Sequence, residues 1–272
     1  MAVDLHIHTN VSDGIYAPEE VVQQALSLCL EAIAITDHDN IDGIDRAKKA
    51  AAGKNIEIIP GIELSAEYKR RDVHILGYYI EPTHSELLNQ LSIIRNARKE
   101  RIAKIIEKLF KLGVKLDMSE IMQDANSTSI CRSHVAQAMI TSGIVRTKKE
   151  AFKRYIGTGK PAYVHSTNLN PQQAIKLILL AKGVPVLAHP GAGNNSVTFI
   201  NELIDTGIKG IEVYHPEHST KQTKFYAKIA QKNNLIITGG SDFHGSHSEY
   251  SNPIGSFSVS YTAVEDLKKQ SL

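Results

Sequence analysis

The sequence predicts an α/β fold, a largely parallel sheet that is open or closed into a barrel, interrupted once by a helical insertion. Three observations carry this. Short apolar runs alternate with amphipathic stretches, as strands alternate with helices in β-α repeats. The alternation stops between residues 95 and 165, where every segment has helical spacing. Histidine, aspartate and glutamate recur just beyond the apolar runs, where a parallel sheet gathers its functional loops.

Val3 to His8 is a short buried strand, and Pro18 opens a helix to Leu30 from its first turn. Glu31–Asp37 is the second strand and Ile41–Ala52 the second helix. Ile56–Ser65 and Val73–Ile80 are further strands. After Pro171, QQAIKLILLAKG forms a helix ending at Gly183, followed by the strand VPVLAHP. A helix near Val197–Asp205, the strand KGIEVYHP, a helix over Thr220–Asn233 and the strand LIITGGSD continue the alternation, with Ile254–Ser260 as a last strand. Between 95 and 165 lie only helices: RNARKERIAKIIEKLFKLG, MSEIMQDAN, SHVAQAMITSG and KKEAFKRYIG. Ile102, Ile105, Ile106 and Leu109 recur at the three- and four-residue spacing of a half-buried helix. This predicts a main domain of residues 1–94 and 166–272 carrying an inserted subdomain at 95–165.

Composition narrows the function classes. With 272 residues, 42% hydrophobic and 22% charged, the chain can bury a core without staples. Two distant cysteines, Cys29 and Cys131, exclude a zinc knuckle and point to a reducing compartment. No run reaches the roughly 18 apolar residues of a membrane span, and the N-terminus lacks a secretory pattern. The expected location is therefore cytoplasmic, with no membrane and no obligatory protein partner. The net charge of +2 hides an asymmetry: residues 95–165 hold 15 basic and 6 acidic residues, so an acidic body carries a basic insertion. Solvated helix faces explain much of this, and the sharper alternative is attraction of an anionic substrate, phosphate or nucleic acid. Tryptophan is absent and aromatics are 6%, which argues against sequence-specific base stacking.

The chemistry sits at the strand ends. His6 and His8, two apart on a strand, point to one side and can share an ion. Asp13 follows after a short loop; His38 ends the second strand, Glu63 the third, His74 lies in the fourth, His189 ends A-H-P, and Asp242 and His244 stand in G-S-D-F-H-G. Unpaired polar groups are costly to bury, so nine such residues at strand ends predict a multi-metal site. Imidazole and carboxylate without thiolate suit manganese, zinc or iron, and magnesium also fits. Nine ligands exceed the need of two ions, and three fit if Glu63 bridges a pair.

Taken in order, D-L-H-I-H-T-N-V-S-D-G, I-T-D-H-D, P-G-I-E-L-S, V-H-I-L-G-Y, L-A-H-P and G-S-D-F-H-G resemble the PHP (polymerase and histidinol phosphatase) family of metal-dependent phosphoesterases. The resemblance implies a distorted (β/α)7 barrel with a trinuclear site, manganese being the first expectation. It places His6, His8, Glu63 and Asp242 on one ion, Asp13, His38 and His244 on the second, and Glu63, His74 and His189 on the third. Asp13 stands where some members have histidine. The inserted S-I-C-R-S-H-V-A-Q-A-M and A-F-K-R-Y-I-G-T-G-K-P-A-Y-V look like the branch acting on nucleotides, which includes 3′,5′-nucleotide bisphosphate phosphatases and a 5′-to-3′ exoribonuclease.

The implied reaction is attack on a nucleotide phosphate by a hydroxide held between ions. The substrate is either the 3′-phosphate of a 3′,5′-bisphosphonucleotide or a short single-stranded 5′-phosphorylated oligoribonucleotide cut from its 5′ end. Arg132 is the expected catalytic cation and phosphate ligand, by the paired hydrogen bonds of guanidinium. His134 is expected to contact phosphate or protonate the leaving oxygen, helix packing being the alternative. His218 is a second acid candidate. Asp37 and Asp39 are expected to orient ligand histidines. Lys99, Arg101, Lys104 and Lys108 either attract a polyanion or are solvated, and His84, His165, His215 and His247 default to surface or packing roles. The alternatives are a phosphatase of another small monoester, a C–N hydrolase of the amidohydrolase type, and a non-catalytic metal-binding regulatory domain.

Overall fold

The computed structural model describes residues 2–125, 129–165, 169–192, 196–245 and 252–271. Its strands are β1 (Ala2–Ile7), β2 (Ala32–Ile35), β3 (Glu57–Tyr68), β4 (Arg71–Tyr78), β5 (Val184–Leu187), β6 (Gly210–Tyr214), β7 (Ile236–Gly239) and β8 (Val259–Ser260). They form one sheet in the order β7-β6-β5-β4-β3-β2-β1-β8. Ile7 also bridges Phe243 just after β7, and the His8 amide donates to the Phe243 carbonyl at 2.9 Å, so the sheet nearly closes on itself. Around it run α1 (Pro18–Ser27), α2 (Asp42–Ala51), α7 (Pro171–Leu180), α8 (Val197–Thr206), α9 (Thr220–Lys232) and α10 (Tyr261–Gln270). The helical segment contributes α3 (Ser85–Lys111), α4 (Met118–Ala125), α5 (Arg132–Thr141) and α6 (Lys148–Ala151), which continues into a π-helical turn at Phe152–Ile156. Among the described residues no helix is long and apolar enough to cross a membrane.

Most elements start where local chemistry directs. Pro171 takes the first position of α7, while Asn170 and Gln173 cap each other reciprocally: each side-chain oxygen accepts the other's backbone N–H, at 2.8 and 2.9 Å. Val3, Leu5, Ala32, Ala34, Ile59, Leu76 and Tyr78 from the strands pack with Ala263, Val264 and Leu267 of α10. Burying such side chains contributes roughly 1.5–3 kcal/mol each for the large ones.

Three departures from the expected layout have physical causes. β4 runs antiparallel to both β3 and β5, not parallel. Tyr68 pairs with Arg71 across a two-residue turn, Lys69 and Arg70, both at positive φ (49° and 65°). A two-residue connection admits only an antiparallel hairpin. The first helix of the segment begins ten residues earlier than its basic stretch, at Ser85, and serves two cores. Leu87, Leu91 and Ile94 pack with the barrel, whereas Ile102, Ile105 and Leu109 join Val114, Ile121, Val135 and Met139 in a separate cluster. The last strand shrinks to Val259–Ser260, antiparallel to β1, and the tail folds as α10.

Candidate metal centre

The strand ends bring all nine expected ligands into one group. His6 and His8 leave β1 with their Nε2 atoms 3.1 Å apart. Two imidazole nitrogens at this distance share one proton or face a common cation. Glu63, in β3, sits between them and the other rings. Its Oε2 lies 2.9 Å from His38 Nδ1, 3.2 Å from His8 Nε2 and 3.5 Å from His6 Nε2. Its Oε1 lies 2.7 Å from His74 Nδ1 and 3.0 Å from His189 Nε2. The two oxygens thus serve different histidines, the geometry of a bridging carboxylate. Asp242 Oδ1 is 3.2 Å from His8 and 3.4 Å from His6, while Asp13 Oδ1 is 3.3 Å from His244 Nε2 and 4.0 Å from His38 Nε2. Among the described residues, donor sets close enough to hold an ion are His8-Asp13-His38-His244, His6-His8-Asp242, His6-Glu63-His189, His38-Glu63-His74 and His6-Glu212-His215. These overlap: His6 belongs to three of them, and His8, His38 and Glu63 to two each.

Burial and charge give this group a need for cations. Glu63 is 1% exposed and His6 and His8 are fully buried. Among the described residues, His8 Nδ1, Asp13 Oδ1, His38 Nδ1 and Glu63 Oε2 have no hydrogen-bond partner in spite of short approaches. Burial alone would raise the Glu63 carboxyl, but the imidazoles of His38, His74 and His6 hold it well below its usual range. Asp242 is likewise held low against burial, by His6 and His244. Burial lowers His8, yet Asp242 and Glu63 prevail and push it up to about 10. Converging orphan donor atoms and ionised carboxylates fit divalent ions with oxygen and nitrogen ligands.

The backbone is bent to aim these groups. His189 (φ 24°) and Asp242 (φ 51°) adopt positive φ, an uncommon conformation for non-glycine residues that clusters at functional sites. Gly240 must be glycine, because a Cβ there would lie 2.4 Å from the His6 Cβ. Glu212, fully buried in β6, pairs with His6 Nδ1 at 2.9 Å through Oε1 and accepts the His189 amide at 2.8 Å through Oε2. His215, 1% exposed, places Nε2 3.4 Å from Asp242 Oδ2. The sequence singles out no role for Glu212 and gives His215 only a surface or packing one. Glu212 was visible as a lone acid within an apolar strand, whereas His215 carried no motif.

Asp37 and Asp39 do not orient ligand rings. Asp37 accepts the Thr9 amide and hydroxyl, each at 2.8 Å, and the Ser12 hydroxyl at 2.5 Å, so it shapes the loop between His8 and Asp13. Asp39 accepts the Ser65 amide at 2.8 Å and pairs with Arg98. Arg132 heads α5, with Nη2 3.1 Å from Asp72 Oδ2. Arg98, Arg101, Arg132, Asp72 and Phe152 line one cavity with Asp13, His38 and His74. A second cavity, walled by Lys148, Lys149, Phe152 and Pro216, is also lined by Asp13, Asp242, His244 and His215.

His134 is buried at the start of α5, where its Nδ1 accepts the Cys131 amide at 2.9 Å. Burial pushes its pKa down, so the neutral ring caps the helix. His218 has both nitrogens engaged: Nδ1 lies 2.9 Å from the Val213 carbonyl and Nε2 accepts the Gly191 amide at 3.0 Å. It props the turn after His189 and offers no free proton donor. Lys99 and Lys104 are exposed, and Lys108 Nζ donates to the Tyr163 carbonyl at 2.6 Å. His165 is half exposed beside Glu67, His84 precedes α3, and His247 lies outside the described residues.

Comparison with known proteins agrees with this centre. The PHP domain profile matches residues 4–182. A 3′,5′-nucleoside bisphosphate phosphatase of Chromobacterium violaceum is 34% identical over 247 residues, 89% of this chain and 87% of that protein. A 5′-3′ exoribonuclease of Haemophilus influenzae is also 34% identical over 247 residues, 89% of each. A chain from Bifidobacterium adolescentis, classed among metal-dependent phosphoesterases, superposes with a TM-score of 0.91 at 27% identity, covering 99% of this chain and 96% of its own. The chain belongs to the PHP domain family.

Proposed function

We propose that the protein is a metal-dependent phosphoesterase of nucleotide phosphates. It removes the 3′-phosphate from 3′,5′-bisphosphonucleotides or degrades short 5′-phosphorylated oligoribonucleotides from the 5′ end. One observation carries this reading: three guanidinium groups line the cavity that Asp13, His38 and His74 also line. A phosphate ester entering there meets anion-binding donors and the ligand cluster together. The two full-length relatives differ in the bond cleaved but share a nucleotide carrying phosphate, which suits this pairing.

We assign the ions as three: one on His6, His8, Glu63 and Asp242, one on Asp13, His38 and His244, one on Glu63, His74 and His189, with manganese the first choice. Divalent ions there would supply Lewis acidity, polarising phosphoryl oxygens and lowering the pKa of water. The protein's own groups do the rest. Glu63 spaces the ligand sets through its two oxygens. Arg132 and Arg101 hold the oxygens of the nucleotide's 5′-phosphate and anchor it beside the ligand cluster. His134 keeps Arg132 in place by capping α5, and His218 keeps the His189 turn. Residues 95–165 serve as the cap that carries Arg98, Arg101 and Arg132 over the barrel formed by 1–94 and 166–272.

The test is product analysis. Manganese-loaded protein is given a short 5′-phosphorylated RNA and, separately, a 3′,5′-bisphosphonucleotide, and the products are separated by chromatography. Stepwise nucleoside 5′-monophosphates identify the exonuclease, and inorganic phosphate with a nucleoside 5′-monophosphate identifies the phosphatase. Intact substrates in both assays would overturn the reading.

A further inference from the structure

The three guanidinium groups of the cavity are not equivalent. Arg98 is saturated: Nε donates to Asp39 at 2.8 Å, Nη2 to Asp39 and to Ser65 Oγ, and Nη1 to Cys131 Sγ and the Ile130 carbonyl. It has no donor left for a ligand. Arg101 is fixed by Nε on the Val164 carbonyl at 2.9 Å, and its buried Nη2 meets no acceptor among the described residues. Arg132 lies between these extremes. Its guanidinium sits 5.4 Å from the Phe152 ring and 5.8 Å from the Tyr163 ring, and Asp72 holds one edge at 3.1 Å. Arg101 lies 5.7 Å from the same Tyr163 ring, so two like charges approach one aromatic ring.

Asp72 is thus a carboxylate built into an anion pocket. It sits on β4 two residues before His74, on the same face of the strand, and lines the same cavity. Asp39 pairs with Arg98 and Asp72 with Arg132, so two of the three guanidinium groups are already matched by carboxylates. A carboxylate lining this cavity opposes each further negative charge that enters, because like charges repel over the short distances a shared cavity allows.

We propose that Asp72 is a specificity-determining residue: it limits the pocket to a single phosphate monoester and disfavours a di- or triphosphate in the same place. The inference rests on the reading of this cavity as the phosphate-binding side of the site. Under it, a 5′-monophosphorylated end is seated by Arg101 and Arg132, while a polyphosphorylated end places its extra charge against Asp72. Selection comes from the repulsive element as much as from the arginines.

The test is binding, which does not depend on turnover. Protein saturated with manganese, at constant free manganese, is titrated calorimetrically with a nucleoside 5′-monophosphate and with the corresponding 5′-diphosphate. The wild type binds the monophosphate at least as tightly as the diphosphate. Asp72→Asn tightens the diphosphate about tenfold and the monophosphate about threefold, and Asp72→Glu keeps the wild-type preference. If Asp72→Asn weakens both ligands, leaves both unchanged or shifts both equally, Asp72 only separates the two arginines and the proposal fails. Absence of nucleotide hydrolysis by the wild type would instead sink the functional reading, with the selectivity still read from the titrations.

Discussion

Glu212 never faces the substrate cavities, yet it touches two ligand-bearing positions at once, the His6 ring and the His189 backbone. Glu212→Gln keeps the shape and removes the charge. Manganese affinity, read by equilibrium dialysis, is expected to fall roughly 10- to 100-fold, with thermal unfolding little changed. Asp242→Ala removes a ligand outright, and hydrolysis of the bisphosphonucleotide is expected to disappear; a metal-loaded variant with unchanged turnover would refute the ligand assignment. Arg132→Ala is expected to lower kcat/KM about 10- to 100-fold with metal content retained, since hydrogen bonds to charged groups contribute roughly 1.5–3 kcal/mol. Activity within twofold of wild type would show that Arg132 does not hold phosphate. At this scale the sequence was most legible where motif and strand end coincide, as at His6, His8 and Asp242. It was least legible where function depends on a partner far along the chain. Nothing local reveals that both nitrogens of His218 are taken by Val213 and Gly191, or that Asp72 will meet Arg132.

Whole elements show the same division. Periodicity located the strands and most helices, because burial imposes a period of two or 3.6 on the chain. It did not reveal the β3–β4 hairpin, whose turn is Lys69-Arg70 instead of the usual Asn-Gly or Asp-Gly. Nor did it reveal α10, a mostly polar tail whose Ala263, Val264 and Leu267 form a narrow apolar stripe. That helix is tied back by Glu57, which accepts Tyr79 Oη at 2.9 Å, Tyr261 Oη at 2.6 Å and Lys268 Nζ at 2.8 Å. Burial alone would raise the Glu57 carboxyl, but Lys268, Tyr261 and Tyr79 hold it below its ordinary value of 4.5. A depressed carboxyl stabilises the folded state above its unfolded pKa and loses that contribution as pH falls through the folded one. Glu57→Gln is therefore expected to cost about 1 kcal/mol in urea unfolding at pH 7 and to match the wild type once the pH has fallen below the depressed folded-state value. A cost that persists at low pH would show that shape, not charge, holds α10.

For the molecule as a whole, the centre joins β1 at one end of the sequence to the loop after β7 at the other, through His6, His8 and Asp242. Ions bound there stabilise the folded chain by mass action, since the unfolded chain lacks the assembled ligands. Chelation is expected to lower the unfolding temperature by roughly 5–10 °C, restored by adding back manganese; an unchanged temperature would argue against tight ions in this centre.

The long helix α3 has one more implication. Its first turns belong to the barrel and its last to the cap, so both are geared to a single shaft. One residue inserted between Ile94 and Arg98 would advance everything beyond it by about 100° and 1.5 Å. Arg98 would leave Asp39 and Arg101 would leave the cavity, although no residue of the centre had been altered. The angular phase of one helix, fixed by a count of residues, is therefore part of the active site's specification.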